Sequence, residues 1–383
     1  MPLPHPCPSP EGGGRDWLHL PPGEHPEGHN GEGEGTASRV ALPPRPRIAD
    51  LRHHLQALGA LPKHQYRVLR AWVQRASLDT RYRKAEDFLP KAVREALPDL
   101  MDGLQGLARL VSRHPGADGS SRLLVRLADG QTVESVLLPR DGLCVSTQVG
   151  CAVGCTFCMT GREGLKRQLG SAEILAQVAL ARSLAPVKKV VFMGMGEPSH
   201  NLDNVLEAIE CLGQEGGIGH KNLVFSSVGD PRVFERLPQG PVKPALALSL
   251  HTTRPELRAR LLPKATPMDP AELVALGEAY ARATGYPIQY QWTLLEGIND
   301  TDDEVEAIIR LLAGKYAMMN FIPFNAVEGL DYRRPDLERA ARMAGMLHQR
   351  GIIARLRDSA GQDIDGGCGQ LRARALAQAE AQA

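Results

Sequence analysis

Cys151-Ala152-Val153-Gly154-Cys155-Thr156-Phe157-Cys158 sets three thiols in a C-x₃-C-x₂-C pattern within one short loop. Iron–sulfur clusters are held by cysteine thiolates, normally four of them. A loop offering three leaves one iron with an open position. A structural zinc site reads differently, with two paired C-x₂-C halves or a Cys₂His₂ pattern closing all four positions. No second half accompanies this triplet, so Cys151, Cys155 and Cys158 are read as the ligands of a [4Fe–4S] cluster.

The sequence on either side repeats strand, loop and helix. Strands are expected at 143–147, 189–193, 223–228, 245–250, 288–294, 319–323 and 352–357, with helices at 171–183, 203–212, 270–283, 303–312 and 335–349. Such alternation means parallel strands joined by crossover helices. Six or seven units fall short of the eight of a closed barrel, so the fold class is α/β, a partial (β/α)₆-type barrel over 141–373.

Upstream, apolar residues recur at helical spacing, Ile48, Leu51, Leu55 and Leu58, then Tyr66, Leu69, Trp72 and Val73, which predicts a small helical domain over 45–112. Alternating stretches around Asp129-Gly130 predict a connecting β-hairpin over 121–140. Residues 374–383 read as a C-terminal helical tail. Residues 1–44 hold ten Pro and eight Gly with few aliphatics, too little apolar surface to offset chain entropy, and are expected to be disordered.

Of 383 residues, 43% are hydrophobic and the net charge is +1. The charge is uneven: 45–95 carry twelve Lys or Arg against five acids. Such a patch can attract a polyanion through its phosphates, although a charged helix is more often a solvated face. No apolar run reaches membrane-spanning length, so no membrane partner is expected. The start lacks a secretory pattern, and seven cysteines suit metal and redox chemistry better than a disulfide scaffold, so a cytoplasmic location is expected.

The triplet spacing marks enzymes in which the open iron is chelated by S-adenosylmethionine (SAM). In parallel barrels ligands sit at the C-terminal ends of strands. There this chain carries Gly194-Met195-Gly196-Glu197-Pro198, where the glycines would let backbone approach a ligand and Glu197 would accept from an ammonium group. Ser226 and Ser227 follow at the third strand, Ser249-Leu250-His251 at the fourth and Asn325 past the sixth. Each alone is more often a turn or cap residue. Together they make Gly196, Glu197, Ser226, Ser249, Leu250, His251 and Asn325 the candidate cofactor-binding set. Cys368 lies between glycines in Asp363-Ile364-Asp365-Gly366-Gly367-Cys368-Gly369-Gln370-Leu371, and Cys144 ends the first strand. Two such thiols can exchange as a redox pair, or Cys144 is simply buried.

These stretches resemble the radical SAM RNA methyltransferases of the RlmN/Cfr type: CVSTQVGCAVGCTFCMTG at Cys144 to Gly161, GMGEP at Gly194 to Pro198, ALSLHTT at Ala247 to Thr253, FIPFN at Phe321 to Asn325 and DIDGGCGQL at Asp363 to Leu371. The resemblance implies methylation of an adenosine, at ring carbon C2, in ribosomal RNA, with transfer RNA a second candidate. It implies that Cys368 accepts a methyl from one SAM, that a radical from a second SAM activates that methyl, that Glu134 serves as the base, and that Cys144 releases the product through a disulfide with Cys368. It also implies a reducing electron donor such as a flavodoxin. The basic helical domain is the expected RNA dock. Asp358, Ala360, Gln362, Gly366 and Gly367 stand where relatives tend to carry basic residues and alanines, which fits a divergent paralogue. Two other readings stay open at this point: a radical SAM activase or sulfur-inserting enzyme, and a non-catalytic, zinc-stabilised RNA-binding factor.

Overall fold

The computed structural model describes residues 43–327, 329–357, 367 and 369–381. The stretch read as a disordered tail lies outside them up to residue 42, and Cys368 lies outside them too.

Three helices come first: α1 (Ile48–Ala57), α2 (Pro62–Gln74) and α3 (Lys91–Gly106). Helix α1 buries Ile48, Leu51 and Leu55, one stripe at helical period, each worth on the order of 1.5–3 kcal/mol relative to exposure. These helices join the same apolar core as the sheet behind them. Helix α4 (Ser171–Arg182) explains how: it is apolar around most of its circumference, because the sheet covers one side and α2 and α3 the other. The entry to α1 is pinned where Ile48 N–H donates to Ser171 Oγ (2.8 Å) and Ala49 N–H to Glu207 Oε1 (2.7 Å).

The main sheet opens with an antiparallel meander, β1 (Ala108–Pro115), β2 (Ser121–Leu127) and β3 (Thr132–Leu138). Strand β1 falls at the end of the stretch read as helical. It is an outer strand with a bulge between Leu110 and Ser112 and with Leu110 and Val111 exposed, so its apolar pattern lacks a regular alternation. Strand β4 (Gly142–Cys144) pairs antiparallel with β3 and parallel with a later strand, which welds the hairpin to the barrel. After it, β5 (Gln148–Gly150) and β6 (Leu165–Gln168) form a separate two-stranded ladder around the cysteine loop.

The parallel strands follow as β7 (Lys189–Phe192), β8 (Leu223–Ser227), β9 (Ala245–Ser249), β10 (Ile288–Leu294), β11 (Ala317–Pro323) and β12 (Ile353–Leu356). Between them lie α5 (Leu202–Gln214), α6 (Pro231–Arg236), α7 (Pro255–Leu261), α8 (Pro270–Thr284), α9 (Asp302–Leu312) and α10 (Leu337–Gln349), and α11 (Gln370–Ala381) closes the chain. The order β1-β2-β3-β4-β7-β8-β9-β10-β11-β12 never closes on itself. Yet Gly142 on β4 and Arg355 on β12 line one cavity, so the sheet curls into the expected partial barrel. Alternation along the strands sends Phe192 and Phe225 outward into the main core, whereas Cys144, Val191, Val224 and Ala247 line an inner apolar cluster. No helix among the described residues is long and apolar enough to cross a membrane.

Candidate active site

The cysteine loop leaves β5 and returns through β6, and glycines permit its close turns. A Cβ on Gly150, whose φ is +78°, would stand 2.0 Å from Gly164 O. One on Gly161 would stand 2.8 Å from Gly154 Cα. The loop is fastened to the end of α7, where Thr156 N–H donates to Leu261 O (3.0 Å) and Lys264 N–H to Val153 O (3.1 Å). Cys151, Val153, Leu257, Leu261, Leu262 and Phe324 form a separate apolar cluster beneath it.

Burial in that cluster pushes Cys151 up to about 12, with the charges of Glu197 and Cys158 adding to the effect. Cys155 is raised well above the ordinary thiol value by burial and then by Cys158 and Cys151, and burial raises Cys158. Three neighbouring sulfurs in an apolar pocket resist ionisation unless a cation sits among them. Iron supplies that charge, and the loop is prepared for it: N–H groups of Val153 and Gly154 face Cys151, while N–H groups of Thr160 and Gly161 favour the Cys158 thiolate. The donor set therefore fits a cluster.

The strand-end residues divide by environment. Ser226 shares the inner face of β8 with Val224, and Ser249 that of β9 with Ala245 and Ala247. Leu250 is fully buried, its N–H on Gln291 O, and Asn325 is half-buried just past β11. The Glu197 carboxylate, raised by burial, accepts from Ser199 N–H (3.1 Å) and Val228 N–H (3.1 Å), bridging the ends of β7 and β8. Gly194 and Gly196 let chain approach chain: a Cβ on Gly196 would meet Gln148 Cβ at 2.6 Å, and one on Gly194 would meet Val145 O at 2.7 Å. That requirement is structural.

His251 sits at φ +63°, a conformation a bulky residue adopts only when its surroundings impose it. Asn299 Nδ2 donates to His251 O (2.7 Å), and Thr252 and Thr253 hydroxyls both donate to the Glu304 carboxylate of α9. Thr293 N–H donates to His251 Nδ1 (3.0 Å), and burial, with Arg258 nearby, lowers the ring to about 3. The imidazole is thus neutral with its proton on Nε2. Its ring stands edge-on to Phe157 of the cysteine loop, centroids 4.9 Å apart.

Glu134 and Cys144 meet across the β3–β4 ladder, where Cys144 is the partner of Val136, and both bear on the inner wall. Glu134 Oε2 accepts from Arg122 Nη1 (3.3 Å) and Oε1 from Arg372 N–H (2.8 Å), both Glu134 and Arg122 side chains being 3% exposed. The Glu134 charge is felt at Cys144 and Cys158 alike. Burial pushes Cys144 up to about 12, opposed by Arg122. Cys144 is a free thiol; its expected disulfide partner, Cys368, lies outside the described residues. The chain neighbours of Cys368 are described. Gly367 O accepts from Arg122 Nη1 (3.3 Å), and Gly369, at φ +89°, lies so close to Thr160 that a Cβ would meet its Oγ1 at 2.7 Å.

Arg122, Arg258 and Phe157 were not legible as site residues. Arg258, 4% exposed on α7, donates through Nη2 to Val228 O and Ser249 O, leaving its buried Nε without a partner among the described residues. It brings a positive charge to Cys155 and Glu197. Only the fold reveals it, because nothing in a lone Arg of an amphipathic helix distinguishes it.

Comparison with known proteins agrees with this geometry. The model of the radical SAM superfamily matches residues 145–312. The chain is similar to a probable RNA methyltransferase of Azoarcus sp. strain BH72, 72% identical over 330 residues that cover 86% of this chain and 95% of that protein. A probable RNA methyltransferase of Pseudomonas aeruginosa is 67% identical over 331 residues, 86% of this chain and 96% of that one. Among solved structures, a radical SAM methyltransferase from Sphaerobacter thermophilus superposes with a TM-score of 0.73 at 34% identity, over 85% of this chain and 97% of its own.

Proposed function

From the premise that this chain belongs to the radical SAM RNA methyltransferases, whose cofactors are a [4Fe–4S] cluster and SAM, we propose that it methylates C2 of an adenosine in RNA through a methyl group carried on Cys368. Ribosomal RNA is the first candidate substrate and transfer RNA the second. The observation that carries the reading is the pair of contacts flanking Cys368: Gly367 on Arg122, beside Glu134 and Cys144, and Gly369 on Thr160, two residues past Cys158.

Bound cluster and SAM supply a carbon radical, which an electron-poor ring carbon requires, because a plain electrophilic methyl cannot be handed to it. The chain's own residues supply position and proton chemistry. The Cys368 thiolate takes the methyl by displacement. Once the carbon borne on Cys368 has bonded to C2, the odd electron of the adduct would pass back to the oxidised cofactor, and Glu134, fixed by Arg122 and the Arg372 N–H, takes the C2 proton. Cys144 attacks the Cys368 sulfur, so that an S–S bond forms, the C–S bond electrons pass to carbon and a proton completes the methyl. An external reductant such as a flavodoxin supplies electrons. Buried, neutral His251 donates through Nε2–H to ligand acceptors, and Arg258 Nε, without a partner among the described residues, is a second donor. Nucleoside mass spectrometry of RNA treated with reconstituted enzyme tests the reading: 2-methyladenosine is expected, and methylation at another ring position, or none, contradicts it.

The N-terminal helices are the RNA dock in this reading. Aromatic rings lie among guanidinium groups there: Arg67 and Arg83 stand over the half-buried Phe88 at 4.4 and 5.0 Å, and Arg81 lies 5.6 Å from the largely exposed Tyr82 ring. Rings and cations together suit unpaired bases and their phosphates. An Arg67→Glu/Arg70→Glu variant is expected to bind RNA at least about tenfold more weakly, with RNA-independent SAM cleavage unchanged. Equal loss of both activities would count against docking at this surface.

A further inference from the structure

The interior of the partial barrel holds a cavity of about 650 Å³ that the cofactor site leaves unused. Cys144 and Met193 line its inner wall, and Arg140, Lys189, Arg355 and Arg357 line it from the first, second and last parallel strands and their flanks. Barrel interiors are ordinarily packed with branched apolar side chains. Among the described residues this lining is cationic, with Asp118 its one carboxylate and that one engaged by Ser120 N–H (2.9 Å).

The four cations face one another. Arg357, Arg140 and Arg355 all press Lys189 below its ordinary value, behind burial as the main cause, and Arg355 and Arg140 do the same to Arg357. Among the described residues none of the four pairs with a carboxylate, and Arg357 Nε instead donates to Asn320 Oδ1 (2.8 Å). Like charges gathered on one wall create a positive potential that attracts an anion. An independent observation points the same way: Asn320, 1% exposed on this lining, keeps its Nδ2 donor without a hydrogen-bond partner among the described residues.

We propose that Arg140, Lys189, Arg355 and Arg357, with Asn320 Nδ2, form a clamp for the backbone phosphate of the RNA nucleotide being methylated, holding its base along the cavity towards Cys144. This rests on the RNA reading and deepens it. The clamp lies where this cavity opens, with Arg140, Arg355 and Arg357 exposed and Lys189 half-buried, away from the α2 surface, so a nucleotide entering the barrel meets it directly. Phosphate contacts fix register, and target bases must leave their stack to be modified.

The test compares wild-type holoenzyme with a Lys189→Gln/Arg355→Gln variant, using iron content per chain as the control for folding. Neutralising two of the clamp's cations is expected to raise the KM for RNA about tenfold with kcat nearly kept, and to lower the slope of log Kd against log salt by about 0.7, the share of one phosphate. Adenosine 5′-monophosphate is expected to compete better than adenosine against wild type, and the two to compete equally against the variant. Unchanged KM and salt slope in the variant overturn the clamp, as does equal competition in the wild type. Inhibition by inorganic phosphate with RNA affinity unchanged in the variant makes this a small-anion site and overturns the RNA assignment. Wild type that binds no RNA at low salt defeats the RNA reading itself, a result distinct from wild type and variant binding RNA alike.

Discussion

A Cys155→Ala variant, reconstituted with iron and sulfide without oxygen, is expected to carry no stable cluster and to release 5′-deoxyadenosine from SAM only at background. Cys155 is raised well above the ordinary thiol value by burial and by its two neighbours, so the trio ionises only around a cationic centre. Removing one ligand leaves two thiolates for a group that already has an open position. Cys211→Ala is the matched control. That thiol is buried in α5, outside the site, and its loss is expected to leave iron content unchanged. Equal iron and sulfide in the Cys155→Ala and wild-type proteins would remove this loop from cluster binding.

Arg122→Met is expected to destabilise the fold by about 3–5 kcal/mol in urea unfolding, because it leaves the Glu134 carboxylate buried without its cation. The double variant Arg122→Met/Glu134→Gln is expected to recover most of that loss, since the uncompensated charge goes with the second change. Methylation is expected to be absent in both, as each loses the contact to Gly367 O and the double variant loses the carboxylate as well. A single variant as stable as wild type would mean that Glu134 finds other compensation. A double variant with full methylation would remove Glu134 from proton transfer.

The barrel was legible because buried parallel strands announce themselves. Apolar runs such as Lys189–Phe192 and Ala245–Ser249 stand between helices with clear caps, among them Asp269, Thr301 and Asp336. Helix α10 begins at Leu337 instead of 335, because Asp336 accepts from Arg339 N–H as its cap. The strand expected over 143–147 stops at Cys144, although Val145 and Thr147 N–H groups still donate to Val191 O and Met195 O, because the chain turns there into the small β5–β6 ladder. Strand β1 was hidden by its exposed apolar residues and bulge.

The cysteine triplet was legible from spacing alone, since three ligands on one loop need no fold to unite them. Arg122, Arg258 and the inner cationic wall were not. Their meaning comes from partners distant in sequence, Arg122 with Gly367 and Lys189 with Arg357, and no local pattern encodes such pairs. In the GMGEP motif, the glycines permit close contact with Val145 and Gln148, and the carboxylate bridges two strand ends.

The most direct measurement is the mass of the peptide carrying Cys368 after reconstituted enzyme has met SAM with no RNA present. One added methyl on Cys368 is expected, and it should leave that sulfur and appear on adenosine when RNA is supplied. An unmodified Cys368 in enzyme that nonetheless methylates RNA would contradict the proposed route.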